Sequence, residues 1–63
     1  MPIVRVEMWT GRTPQQKADL ARAITDAVCR IAGSPPESTL VVFSDIDKSN
    51  WAQAGALASQ APK

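Results

Sequence analysis

The second residue is a proline, Pro2, directly behind the initiator methionine. Methionine is generally removed before a small second residue, and the mature chain is then expected to begin with a secondary amine. An α-amino group has a reference pKa of about 7.7–8.0 and falls toward neutrality among apolar groups or beside a cation. Such an amine can act as a general base, or attack a carbonyl carbon to give an iminium ion. The chain has no histidine, so the commonest base at neutral pH is missing and Pro2 is the candidate in its place. On its own Pro2 also reads as the start of an edge strand. Arg12 follows Gly11 in a turn, where its bidentate fork could hold a carboxylate; alone it also reads as a solvated surface residue. Trp51 stands in a polar stretch, as a pocket wall or as an anchor between subunits. Cys29, the one cysteine, reads as a small core residue, not a nucleophile.

These residues need elements to position them. Residues 2–9 alternate, with Val4, Val6 and Met8 on one face and Ile3, Arg5, Glu7 and Trp9 on the other. This period of two predicts a strand with one apolar face and one amphipathic face. Thr13, Pro14 and Gln16 form the signature of a capping box with proline in the first turn. Leu20, Ile24, Ala27, Val28 and Ile31 recur at helical spacing, while Lys17, Asp19, Arg22, Asp26 and Arg30 lie largely off that stripe. Asp26 and Arg30 are placed as an i,i+4 pair on the wet side. Gly33 suits a left-handed stop, and Ser34-Pro35-Pro36 prevents resumption. Thr39 to Ile46 reads as a second strand with apolar residues on both faces. Strand, helix and strand make a β-α-β unit with parallel strands. Residues 47–55 are turn-like, with a short hairpin around Trp51. The Ala-rich end, 56–63, is read as frayed or docked on a neighbour.

At 63 residues the chain can be one domain, spanning 1–63, and no more. Ten of its apolar residues are alanine, so the large side chains are too few for a self-sufficient core. Small domains compensate with disulfides, a metal or partner subunits. A single cysteine excludes an intrachain disulfide, and the absence of histidine argues against a structural zinc site. A homo-oligomer is therefore expected. Seven Lys/Arg against six Asp/Glu give a net charge of +1, scattered without a basic patch, which argues against a nucleic-acid partner. No apolar run reaches the ~18 residues of a membrane span, and no signal peptide is read. A cytoplasmic setting is the expectation.

Pro2-Ile3-Val4-Arg5-Val6-Glu7-Met8-Trp9, then Gly11-Arg12-Thr13 and Gln16-Lys17 opening a helix, together with Val41-Val42-Phe43, Lys48-Ser49-Asn50-Trp51 and Gly55, resembles the 4-oxalocrotonate tautomerase family. The resemblance runs from Met1 to about residue 59. It implies an α+β fold: a β-α-β subunit with a short C-terminal hairpin whose four-stranded sheet is completed by dimerisation. It further implies hexamers built as trimers of dimers, and a cofactor-free isomerase with no metal. Pro2 matches the catalytic base that converts an enol or dienol 2-oxo acid to its keto form. Arg12 matches the residue that grips the substrate carboxylate, Trp51 an aromatic that keeps the site apolar, and Trp9 a large pocket-lining position. The sequence departs at Leu40, where the family has a second arginine that polarises the substrate oxygen. Loss of such a donor costs ~10²–10³ in rate. No residue from 39 to 44 supplies a cation; Arg5 or Lys48 of a neighbouring subunit are the candidates. An apolar substrate such as an aryl enolpyruvate is expected over a dicarboxylate. Two alternatives stand beside this: a non-catalytic subunit that assembles with a paralogue, and a hydratase or dehalogenase. The second is ranked lower because Gln53 stands where such members place a carboxylate.

Overall fold

A computed structural model of the chain describes residues 1–60. Strand β1 (Ile3–Trp9) and strand β2 (Leu40–Ile46) are parallel, in register from Ile3↔Leu40 to Trp9↔Ile46. Between them runs helix α1 (Pro14–Ala32). Its start follows the sequence signature: the Thr13 hydroxyl accepts from the Gln16 amide, and the Gln16 side chain accepts from the Thr13 amide. Its stop is Gly33 at φ 77°, whose amide donates to the Cys29 carbonyl. A residue with a Cβ would pay a steric penalty at that φ.

The helix covers one face of the two-stranded sheet. Val4, Val6 and Met8 of β1 and Val41 and Phe43 of β2 are half-buried beneath it, with Ala21, Ile24 and Val28 above. Cys29 is half-buried too, its Sγ 3.7 Å from the Thr39 hydroxyl. Two stripe positions depart from expectation. Ile31 is 79% exposed because a 19-residue helix spans about 28 Å and a seven-residue strand about 23 Å; the last turn overhangs the sheet. Leu20 stays at the rim of the covered face. Lys17, expected off the stripe, leans inward and pairs with Asp45, which points at the helix from the end of β2. Asp26 and Arg30 do not pair; the exposed ion pair of the helix is Arg22 with Asp19.

The opposite face of the sheet is bare. Ile3, Trp9, Leu40 and Val42 are all exposed, and Arg5 and Glu7 lie among them. Among the described residues no side chain is fully buried. The radius of gyration, 14.9 Å, exceeds the ~11 Å of a compact chain of this length.

After β2 the chain makes a 3₁₀ turn, Lys48–Asn50, capped by Asp47. Then come β3 (Ala52–Gln53) and β4 (Ala56–Leu57), an antiparallel hairpin that starts just past Trp51. Its two-residue link, Ala54-Gly55, has φ values of 55° and 80°, the twist a tight hairpin requires. The Ala58 amide donates to the Trp51 carbonyl at 2.7 Å, which closes the hairpin onto its own root. Residues 56–60 form strand and 3₁₀ turn, so the end is ordered at least this far. The remainder of the expected frayed end, 61–63, lies outside the described residues.

Candidate active site

The parallel register separates the candidate residues into two groups at opposite ends of the sheet. Pro2 and Leu40 are neighbours at one end, where the Leu40 amide donates to the Pro2 carbonyl at 3.0 Å. The residue whose backbone bonds to Pro2 is thus a leucine, where the resemblance implies an arginine. Met1 precedes Pro2 and is 85% exposed. Trp9, Arg12 and Trp51 gather at the far end. Trp9 closes β1, and Arg12 lies in the exposed link before α1. That link turns on Gly11, whose φ of 124° is open to glycine and strained for other residues. The run from Pro2 to Trp9 is about 23 Å at strand rise. A single chain therefore does not bring Pro2 to the tryptophans.

The tryptophan end is built in detail. Trp9 and Trp51 meet edge to face, with ring centroids 5.9 Å apart and planes at 80°, the arrangement that aromatic quadrupoles favour. Around them lies an open hollow of about 310 Å³, lined also by Gln53, Ala54, Ala56 and Ala58. The alanines come from the hairpin, and their small side chains leave the hollow its room. Over the Trp9 ring sits the Lys48 ammonium, 4.8 Å from the centroid, a cation–π contact. Two cations, Arg12 and Lys48, thus share this end with the two indoles.

Asp47 fixes the turn that carries Lys48 and Trp51. Its carboxylate accepts from the Ser49 hydroxyl and, at 3.0 Å, from the Ser49 amide. These bonds, the hydroxyl first, hold the Asp47 carboxyl below its ordinary value of 3.8. Sequence reasoning placed Trp9 and Trp51 in one pocket. It missed the packing of Lys48 on Trp9 and the hairpin alanines of the lining. Lys48 lies three residues before Trp51, but its contact partner is 39 positions away in the chain, and only the register of β1 with β2 brings them together. Among the described residues no three His, Cys, Asp or Glu side chains cluster as a metal site, and no helix is long and apolar enough to cross a membrane.

Fold and site define a class: a small β-α-β subunit with a proline at the head of its first strand and an aromatic, cation-flanked hollow at the other end of the sheet. Residues 2–61 match the family described as Tautomerase enzyme. The chain is 40% identical over 62 residues to a probable tautomerase of Ralstonia nicotianae, covering 98% of this chain and 95% of that one. It superposes with a TM-score of 0.92 on a solved homologue of 4-oxalocrotonate tautomerase, at 34% identity over 97% of this chain and all of the other. A heterohexamer 4-oxalocrotonate tautomerase from Chloroflexus aurantiacus gives a TM-score of 0.90 at 26% identity, over 98% of this chain and 100% of that one. The chain belongs to the tautomerase family, and within it to the 4-oxalocrotonate tautomerase group.

Proposed function

We propose that this protein is a cofactor-free tautomerase that converts an enol or dienol 2-oxo acid to its keto form, at sites shared between copies of the chain. The observation that carries this reading is the distance of about 23 Å between Pro2 and Trp9 along one strand. β1 has β2 on one side only. Laying the free edge antiparallel on the β1 of a second copy completes a four-stranded sheet and sets Pro2 of each chain beside Trp9 of the other. Trp51, Arg12 and Lys48 of that other chain come with it. The bare apolar face then packs against further dimers, as in a trimer of dimers.

In such a site the Pro2 amine, freed by removal of Met1, takes the enol hydroxyl proton. The electrons close the carbonyl, and a proton returns from the ammonium to carbon. Apolar neighbours gathered around the amine in the assembled site would disfavour its charged form and keep it ready as a base. Arg12 holds the carboxylate through two parallel hydrogen bonds. Trp9, Trp51 and Leu40 favour an apolar substituent, as in an aryl enolpyruvate. Lys48 is the cation available to the developing enolate oxygen in the absence of the family's second arginine.

The test is ketonisation of an aryl enolpyruvate by Met-free protein, verified by mass, against Pro2→Ala. The variant should lose about 10²–10⁴ in rate while the oligomer persists; equal rates in the two proteins reject Pro2 as the base. Leu40 favours a second reading, a subunit that needs a paralogue to supply the missing arginine. That reading requires no turnover by the pure protein and its restoration on adding the paralogue.

A further inference from the structure

The amphipathic face of β1 carries Arg5 and Glu7 between Ile3 and Trp9, and the positions of these charges are meaningful once the backbone is considered. The Leu40 amide donates to the Pro2 carbonyl and the Thr10 amide donates to the Ile46 carbonyl. Even-numbered residues of β1 therefore turn their backbone groups toward β2, and alternation turns those of Ile3, Arg5, Glu7 and Trp9 toward the free edge. An antiparallel partner on that edge must pair these odd residues with odd residues of its own β1. Only a few registers meet this condition. If the position numbers of opposed residues sum to 10, Arg5 faces Arg5 of the other copy. If they sum to 14, Glu7 faces Glu7. If they sum to 12, Arg5 faces Glu7, Glu7 faces Arg5, Ile3 faces Trp9, and Val6 lies on the two-fold axis with its own copy. Within the chain neither charge is used: among the described residues the ion pairs are Lys17 with Asp45 and Arg22 with Asp19.

We propose that Arg5 and Glu7 form two reciprocal ion pairs across the β1–β1 edge of two copies of this chain, and that these pairs select the register and select self-association over pairing with a different chain. The inference rests on the shared site described above and deepens it. The selected register sets Pro2 opposite Thr10 of the second copy, next to its Trp9, so the charges that align the strands also align the base with the hollow. Shifting by one permitted step sets like charges opposite each other and moves Pro2 by two residues, about 6.6 Å. Opposite charges in directly facing positions attract and like charges repel. The pattern therefore acts both for the correct register and against its neighbours. A chain of the same fold without this pattern gains the backbone hydrogen bonds of the edge but not the ion pairs.

Charge reversal tests it. Full-length wild type, Arg5→Glu, Glu7→Arg and the double variant Arg5→Glu/Glu7→Arg are compared by native mass spectrometry and sedimentation across a concentration series. The two single variants are also co-expressed with distinguishable tags. Each single variant, with two repulsive pairs per dimer, should assemble about tenfold or more weakly than wild type. The double variant should recover, and so should the co-expressed singles, as a one-to-one heteromer in which each Arg5→Glu chain meets a Glu7→Arg chain. Wild-type assembly in both singles refutes the inference and leaves the shared site standing. Failure of both the double variant and the mixture to recover also refutes it. A wild-type protein that stays monomeric at all concentrations overturns the shared site itself.

Discussion

A mixing experiment measures the sharing of the site directly. Pro2→Ala removes the base at one end of β1, and Arg12→Ala removes the carboxylate holder beyond the other, more than 20 Å away by strand rise (about 23 Å from Pro2 to Trp9). Each homo-oligomer should be crippled: Pro2→Ala by about 10²–10⁴, and Arg12→Ala by about tenfold or more from the loss of charge-assisted bonds worth roughly 1.5–3 kcal/mol. In equal mixture, about half the dimers combine one chain of each kind by random two-fold pairing. Every such dimer has one site with both lesions and one site with none, since the intact Pro2 comes from the Arg12→Ala chain and the intact Arg12 from the Pro2→Ala chain. About a quarter of wild-type activity should return. The assay is ketonisation after co-refolding, with native mass spectrometry to confirm mixed dimers. If Pro2 and Arg12 of the same chain served one site, every site in the mixture would keep a lesion. Activity no higher than the average of the separate variants, with mixed dimers present, would refute the shared geometry.

Two further outcomes are expected. Folding holds the Asp47 carboxyl below 3.8, so its bonds to Ser49 support the turn fully above that value and are lost as pH falls through the lower, folded value; tryptophan fluorescence should report loosening of the Trp9–Trp51 contact at pH below about 4, and Asp47→Ala should remove that acid step. Lys48→Met should lower kcat for an aryl enolpyruvate by about tenfold with KM little changed, the scale of one charge-assisted bond to the developing enolate oxygen; a loss confined to KM would show that Lys48 only supports the hollow.

The sequence carried the local structure well because local rules govern it. The Thr13–Gln16 box, the Gly33 stop, the alternation of β1 and the β-branched run of β2 each depend on residues a few positions apart. Where contacts span the fold, local periodicity fails. Lys17 was assigned to solvent by its place on the helical wheel, yet Asp45, 28 positions away, draws it in. Asp26 and Arg30 have the spacing of a pair and do not form one, as expected of an exposed contact whose gain barely offsets side-chain ordering. The candidate site was legible as a set of residue types and not as a place. Pro2, Arg12, Trp9, Trp51 and Leu40 could be named from the chain, but their division between two ends of the sheet follows from the parallel register, and no spacing in the sequence encodes it.

Among the described residues no side chain is fully buried, and this has a consequence for how the protein can vary over time. In most domains a substitution on the outside is silent, because the outside meets only water. In the proposed assembly the faces and edges left open by the lone subunit are those that second and third copies meet. In that assembly a change at Ile3, Val42 or Trp9 is repeated in every copy and alters several contacts at once, for better or worse. That assembly would constrain drift at these positions and leave the exposed outer side of the helix, at Gln15, Arg22 and Asp26, free of it. Concentration enters in the same way: under the proposed sharing, the hollow and the proline become a working pair only where chains are numerous enough to find one another, and output per chain should fall as the protein is diluted.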